Sequence, residues 1–188
     1  MNEFSMVCRV LGSLWYRHPQ NTLLAPLYDL IREDKLAPVW PLEQAALLER
    51  LRQNSECDAL AAEYNMLFVG EECRVSPFRS AWVGQRDDSE FRQFLTSYHI
   101  PAGDGAADHF GALLLAASWL EDNAGERDDE ALDTLFADWL LPWCDSFLGK
   151  VEAHAETVFW RTMAQLTREA IYAMWEELQE NGDELPAD

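Results

Sequence analysis

The stretch Phe159 to Leu178, FWRTMAQLTREAIYAMWEEL, decides the fold class. Its large apolar residues, Phe159, Trp160, Met163, Leu166, Ile171, Met174, Trp175 and Leu178, gather on one side of a helix and do not alternate as a strand would. The same spacing opens the chain, where Phe4, Val7, Leu11, Leu14 and Trp15 form an amphipathic helix that His18-Pro19 ends. Shorter helical faces follow in Leu24, Leu27, Tyr28 and Ile31, then in Leu42, Ala45, Ala46, Leu48 and Leu51. A fourth runs through Leu60, Ala61, Tyr64, Leu67 and Phe68 to a glycine stop at Gly70.

Between Glu71 and Trp82 the period lapses, and Pro77 marks an ordered loop. Helical spacing resumes from Asp87 to Tyr98 through Phe91, Phe94 and Leu95. The Gly-containing segment Pro101 to Ala106 is the clearest flexible connection. It leads to a helix carrying Leu113, Leu114, Ala117 and Leu120, which ends near Asn123-Ala124-Gly125. Leu132 to Leu140 forms the next helix, kinked or restarted at Pro142. No strand-like Val/Ile/Thr alternation appears. The expected architecture is all-α, a single compact helical bundle spanning residues 1–180, with a frayed acidic tail at 181–188.

With 188 residues and 48% hydrophobic content, one domain buries a large core without metals or disulfides. Thirty-four acidic against 14 basic residues give a net charge of -20, whose field repels nucleic acid and anionic membrane and favours a basic protein partner. Cys8, Cys57, Cys73 and Cys144 show no zinc spacing, and Cys8 and Cys144 fall on apolar helical faces. The four histidines form no HxxxH or HxH pattern, so no metal or other cofactor is expected. Met1 leads directly into a periodic helix and no apolar run approaches membrane length, which points to a cytoplasmic protein.

The best candidate for chemistry is Asp108-His109 at the start of the helix that continues as Phe110-Gly111-Ala112-Leu113. Asp108 suits an N-cap or first-turn acid. Adjacent helical residues do not face each other, so adjacency alone makes no catalytic couple. Capping with packing, ligand or peptide binding, and catalysis by a small hydrolase using Asp108 and His109 all remain open at this level. Ser76-Pro77-Phe78-Arg79-Ser80-Ala81-Trp82 is a second candidate, a stiff loop offering aromatic anchors to a peptide or plugging itself onto the core. No serine sits in a nucleophile elbow.

Taken in order, these segments resemble the TorD/DmsD/NarJ family of all-helical redox-enzyme maturation chaperones, and in particular its YcdY-like branch. Tyr64-Asn65-Met66-Leu67-Phe68 with Pro77-Phe78-Arg79-Ser80 is similar to the family's aromatic-x-x-Leu-Phe and Pro-x-x-Ser segments. Asp108-His109-Phe110-Gly111 matches its Asp-His signature, and Leu141-Pro142-Trp143-Cys144, Phe147-Leu148 and Phe159-Trp160 resemble its C-terminal positions.

The resemblance implies a client-binding groove rather than an enzyme. Tyr64, Leu67 and Phe68 would form one apolar wall, Pro77, Phe78, Ser80 and Trp82 the adjoining loop, and Asp108 and His109 the polar mouth. Arg79 beside that pocket would oppose an Arg-rich leader. The YcdY-like resemblance implies a metal-dependent phosphoesterase as client, assisted in folding or metal insertion. The alternative is proofreading of the twin-arginine leader on a molybdenum-cofactor oxidoreductase precursor. The expected state is a monomer, or a dimer swapped around Pro101 to Ala106.

Overall fold

The computed structural model describes residues 2–123 and 128–183. Ten α-helices occur among them: α1 (Glu3–Tyr16), α2 (Ala25–Arg32), α3 (Ala45–Gln53), α4 (Cys57–Phe68), α5 (Arg79–Val83), α6 (Ser89–Ser97), α7 (Phe110–Asp122), α8 (Asp128–Thr134), α9 (Leu141–His154) and α10 (Val158–Asp183). Short 3₁₀ turns at Thr22–Leu24 and Ala37–Val39 flank α2. No strand forms among the described residues; the one extended pairing is an isolated bridge between Phe78 and His109.

The core is aromatic. Trp15 packs against Phe68, Phe110, Phe147 and Trp160 with ring centroids 5.5 to 5.7 Å apart. Its indole N–H donates to Thr167 Oγ1 at 2.9 Å, so the one polar atom of this buried ring is satisfied. Helix α1 lies against α7, and their crossing is closed by glycine. A Cβ on Gly111 would stand 2.5 Å from Tyr16 N and 2.6 Å from Gly12 O, so only glycine allows the backbones to approach this far. Buried Ser5 and Ser118 bridge the same pair of helices, Oγ to Oγ at 3.0 Å.

Helix α10 is gripped at its start by α4. The Glu63 carboxylate, 5% exposed, accepts from the backbone N–H groups of Glu156 and Thr157, the latter at 2.9 Å. A negative group at this position satisfies free donors and complements the helix dipole.

Two local expectations are corrected and one is resolved. Within Glu71 to Trp82 the chain winds into the short α5 rather than remaining a loop. Of the two expectations at Pro142, a kink or a restart, the structure has the restart. Leu135–Leu140 widens into a π-helix, Pro142 falls in the first turn of α9, and the Trp143 indole donates to Trp139 O at 2.7 Å. Helix α10 continues through Asp183, so the first residues of the expected frayed tail are helical. Residues 184–188, and Ala124-Gly125 at the expected end of α7, lie outside the described residues; the cap seen there is Asn123.

All four cysteines are free, with Cys8 and Cys144 buried. Burial pushes the Cys8 thiol far above its ordinary value and that of Cys144 up to about 12, which leaves both protonated and unreactive at neutral pH. Among the described residues no group of His, Cys, Asp and Glu is placed to hold a metal ion, and no helix is long and apolar enough to cross a membrane.

Candidate functional site

The loop before α5 and the turn before α7 meet through their backbones. Arg79 N–H donates to Asp108 O at 3.0 Å, and Phe110 N–H donates to Pro77 O at 2.8 Å. The Asp108 carboxylate, 3% exposed, accepts from Ser80 N–H at 2.7 Å. Asp108 therefore caps α5, a helix that begins 29 residues before it, and not α7 as its position suggests. The α7 cap is His109, whose extended backbone lets Nδ1 accept from Gly111 N–H at 3.0 Å.

That bond fixes the imidazole as the Nε2–H tautomer. Burial alone pulls its pKa from 6.5 down to about 4, so the ring is neutral at physiological pH. The two side chains thus turn to different partners, Asp108 to Ser80 and His109 to Gly111. No Asp108–His109 hydrogen bond exists among the described residues, and the geometry a hydrolase would need is missing.

The His109 ring stands edge-on to Tyr16 at 5.2 Å and to Phe78 at 5.6 Å. These neighbours belong to two different hollows. Tyr16 lines an apolar cavity of about 280 Å³ with Leu95, Ile100, Ala112, Leu115 and Trp119, walled on its outer side by the 101–107 segment. Phe78 lines a more open hollow of about 410 Å³ with Ser76, Ser80 and Gln85, where Asp87, Asp88 and Asp108 stand with Arg86 in the lining and Asp88 is ion-paired with Arg92. Asp108 lines the acidic hollow, and Ala106 lines both.

The expected site residues divide accordingly. Phe78 and Ser80 line the acidic hollow beside Asp108, and Pro77 is buried under the pairing. Trp82 is half-buried; its indole donates to Ser76 O at 2.8 Å and its ring leans on Phe147 at 6.3 Å, holding the loop to the core. The expected apolar wall of Tyr64, Leu67 and Phe68 is not open surface. All three are at most 4% exposed, and Tyr64 OH donates to Trp15 O at 2.8 Å. They fix the end of α1, which places Tyr16.

Sequence reading missed Tyr16, Ile100, Ala112, Leu115, Ala116 and Trp119. The signal was present: Ala112, Leu115, Ala116 and Trp119 form a second apolar stripe on α7, opposite the core-facing Leu113, Leu114, Ala117 and Leu120. A helix apolar on both sides buries one and leaves the other for a partner or cavity. Arg79 also differs from expectation. It is 9% exposed, lies over the Trp139 ring at 4.4 Å, and gives Nη1–H to Gln85 Oε1 at 2.9 Å. Burial lowers its pKa, opposed by the charges of Asp108, Glu90 and Asp138. It does not line the acidic hollow, although its charge acts on Asp108, which does.

The model of the nitrate reductase delta subunit family matches residues 33–149. The chain is 60% identical over 184 residues to the chaperone protein YcdY of Escherichia coli, covering 98% of this chain and 100% of that one. The chain belongs to the TorD family of redox-enzyme maturation chaperones. Family relatives include the Tat proofreading chaperone DmsD of Salmonella typhi, 32% identical over 93% of this chain and 90% of its own. A protein of Haemophilus influenzae is 34% identical over 96% and 97% of the two chains. The TorD-family relatives that carry functional names are chaperones rather than enzymes, and this chain is likewise not an enzyme.

Proposed function

We propose that the chain is a cytoplasmic, client-specific chaperone that holds an apolar segment of a partner enzyme in the cavity beside Tyr16 and Trp119. A basic side chain next to that segment occupies the acidic hollow. The supporting observation is the pairing of Pro77–Ser80 with Asp108–Phe110, which puts Phe78 and Asp108 in an acidic hollow that shares Ala106 with the apolar cavity. A segment combining cation and apolar side chains would touch both, and the net charge of -20 would steer it in. The protein acts as a monomer in this reading.

Two client classes fit. The DmsD relatives, as Tat proofreading chaperones, favour the twin-arginine leader of a redox-enzyme precursor, whose basic start and apolar middle match the two hollows. The metal-dependent phosphoesterase implied by the YcdY-like resemblance finds no support in the relatives' names. It remains the alternative client, since YcdY is named simply as a chaperone protein. Capture from the native cell with wild type and Leu115→Arg, followed by metal and molybdenum-cofactor analysis of captured proteins, tests the reading. The expected result is one client, poor in cofactor, that the Leu115 variant loses. Failure of wild type to retain any client that the variant loses would overturn it.

A further inference from the structure

We propose that the 101–106 segment is a strap over the apolar cavity, latched by Arg92 and Asp88, that closes behind an apolar side chain of the client. The inference rests on the client-binding reading above. The strap's ends are anchored, since Ile100 and Ala107 are 5% and 7% exposed and Ile100 N–H donates to Leu95 O at 2.8 Å. All six residues between them are exposed. A Cβ on Gly103 or Gly105 would meet nothing within 4 Å, so no packing holds the middle of the segment down.

What holds it is one side chain of α6. Arg92 donates Nη1–H to Gly103 O at 3.2 Å and Nη2–H to Gly105 O. Its Nε–H donates to Asp88 Oδ2 at 2.9 Å, and that same oxygen accepts from Ala107 N–H at 2.6 Å. The guanidinium thus ties two carbonyls of the cavity's outer wall to a carboxylate that lines the neighbouring acidic hollow. The pair is partly open to solvent, with side chains 36% and 17% exposed, and ion pairs in such settings are weak enough to break reversibly. Buried hinges, an unpacked middle and a single weak fastening make a segment that opens without disturbing the core.

Arg92 is on this account a positioning residue that sets how often the strap opens. The full-length chain is tested as wild type, Arg92→Ala, Arg92→Lys and Ala112→Phe, with the neutral apolar dye prodan as probe. Arg92→Ala is expected to speed amide exchange across 101–107 and prodan dissociation about tenfold, with association faster as well and the unfolding midpoint unchanged. Arg92→Lys recovers part of the effect, because an ammonium still reaches a carbonyl but not in a fixed fork. Ala112→Phe fills the cavity and abolishes prodan binding without altering the exchange.

The proposal is overturned if wild type takes up no prodan, if exchange and dissociation in Arg92→Ala stay within about twofold of wild type, or if exchange rises throughout the core as stability falls. Faster prodan release in Arg92→Ala from a chain that captures no client would retain the strap and remove the chaperone–client reading. The two ideas therefore fail separately.

Discussion

The His109 imidazole meets the Tyr16 ring edge-on, 5.2 Å between centroids and 89° between planes. The contact joins the first turn of α7 to the last residue of α1, and it keeps a neutral imidazole buried where a charged one would have no compensation. The unfolded chain protonates this ring near its ordinary 6.5, the folded chain only near 4. The unfolded state therefore binds more protons between those values. Stability from this group is complete above 6.5 and falls as pH drops toward 4. At about 1.4 kcal/mol per pH unit the loss reaches about 3 kcal/mol. His109→Asn keeps an N-cap acceptor without a titrating ring, so urea unfolding at about pH 7 and about pH 5 should differ much less for that variant.

Glycine at position 111 is required by backbone, not by flexibility. Gly111→Ala is expected to cost about 1–3 kcal/mol, because its Cβ meets Tyr16 N and Gly12 O rather than a movable side-chain tip. Gly149 is the contrast. It lies inside α9 with only Arg168 Nη2 at 3.8 Å from a built Cβ, so Gly149→Ala should stabilise the chain by about 0.5–1 kcal/mol. Thermal unfolding of the two variants side by side checks both signs.

Asp108 supports two roles that separate experimentally. Asp108→Ala removes the acceptor for Ser80 N–H and should cost about 0.5–2 kcal/mol. Asp108→Asn keeps an acceptor while removing the charge that faces the hollow, so it should retain most stability yet weaken capture of a basic client. Equal client capture by wild type and Asp108→Asn at low and high salt would show that this charge plays no part in recognition.

Tyr64→Phe removes a hydroxyl that donates to Trp15 O and lies 3.2 Å from Tyr16 O. A loss of about 1 kcal/mol in urea unfolding is expected, with client capture kept wherever Tyr16 keeps its place. Loss of capture at unchanged stability would return Tyr64 to the binding surface.

Glu63→Gln tests the grip of α4 on α10. The neutral amide offers one acceptor oxygen where the carboxylate offers two, and it loses the favourable charge at the helix start. A cost of about 1–3 kcal/mol is expected, with faster amide exchange at Glu156 and Thr157.

The helical architecture was legible because apolar spacing is a local property, and α1, α4, α7 and α10 each carry enough of it to show. Helix α5 was not, since its five residues have no period and the carboxylate that caps it comes from Asp108. Tyr64, Leu67 and Phe68 were read as a surface because an aromatic in a helix pattern looks the same whether it faces solvent or Trp15. The pairing of the two family segments came from resemblance, not from their spacing, which says nothing of a bridge between Phe78 and His109. The apolar cavity went unread because its small residues, Ala112 and Ala116, do not announce the space they leave. Arg92 was invisible for a different reason: its role lies in reaching two carbonyls of a loop that shares no pattern with it.

The widened turn at Leu135–Leu140 gives the molecule a sensitivity to length rather than to residue type. A π-helix holds one residue more than the ordinary winding needs, and here that surplus carries Trp139 to the Arg79 guanidinium and to Phe91 and Phe94. Removing any single residue from this turn would rewind it and swing α8 by about 100° about the helix axis. The damage would spread along the turn: Arg79 would lose its aromatic floor and Phe136 its contacts with Phe4 and Trp175, while Phe110, Phe147 and Trp160 would keep their places around Trp15.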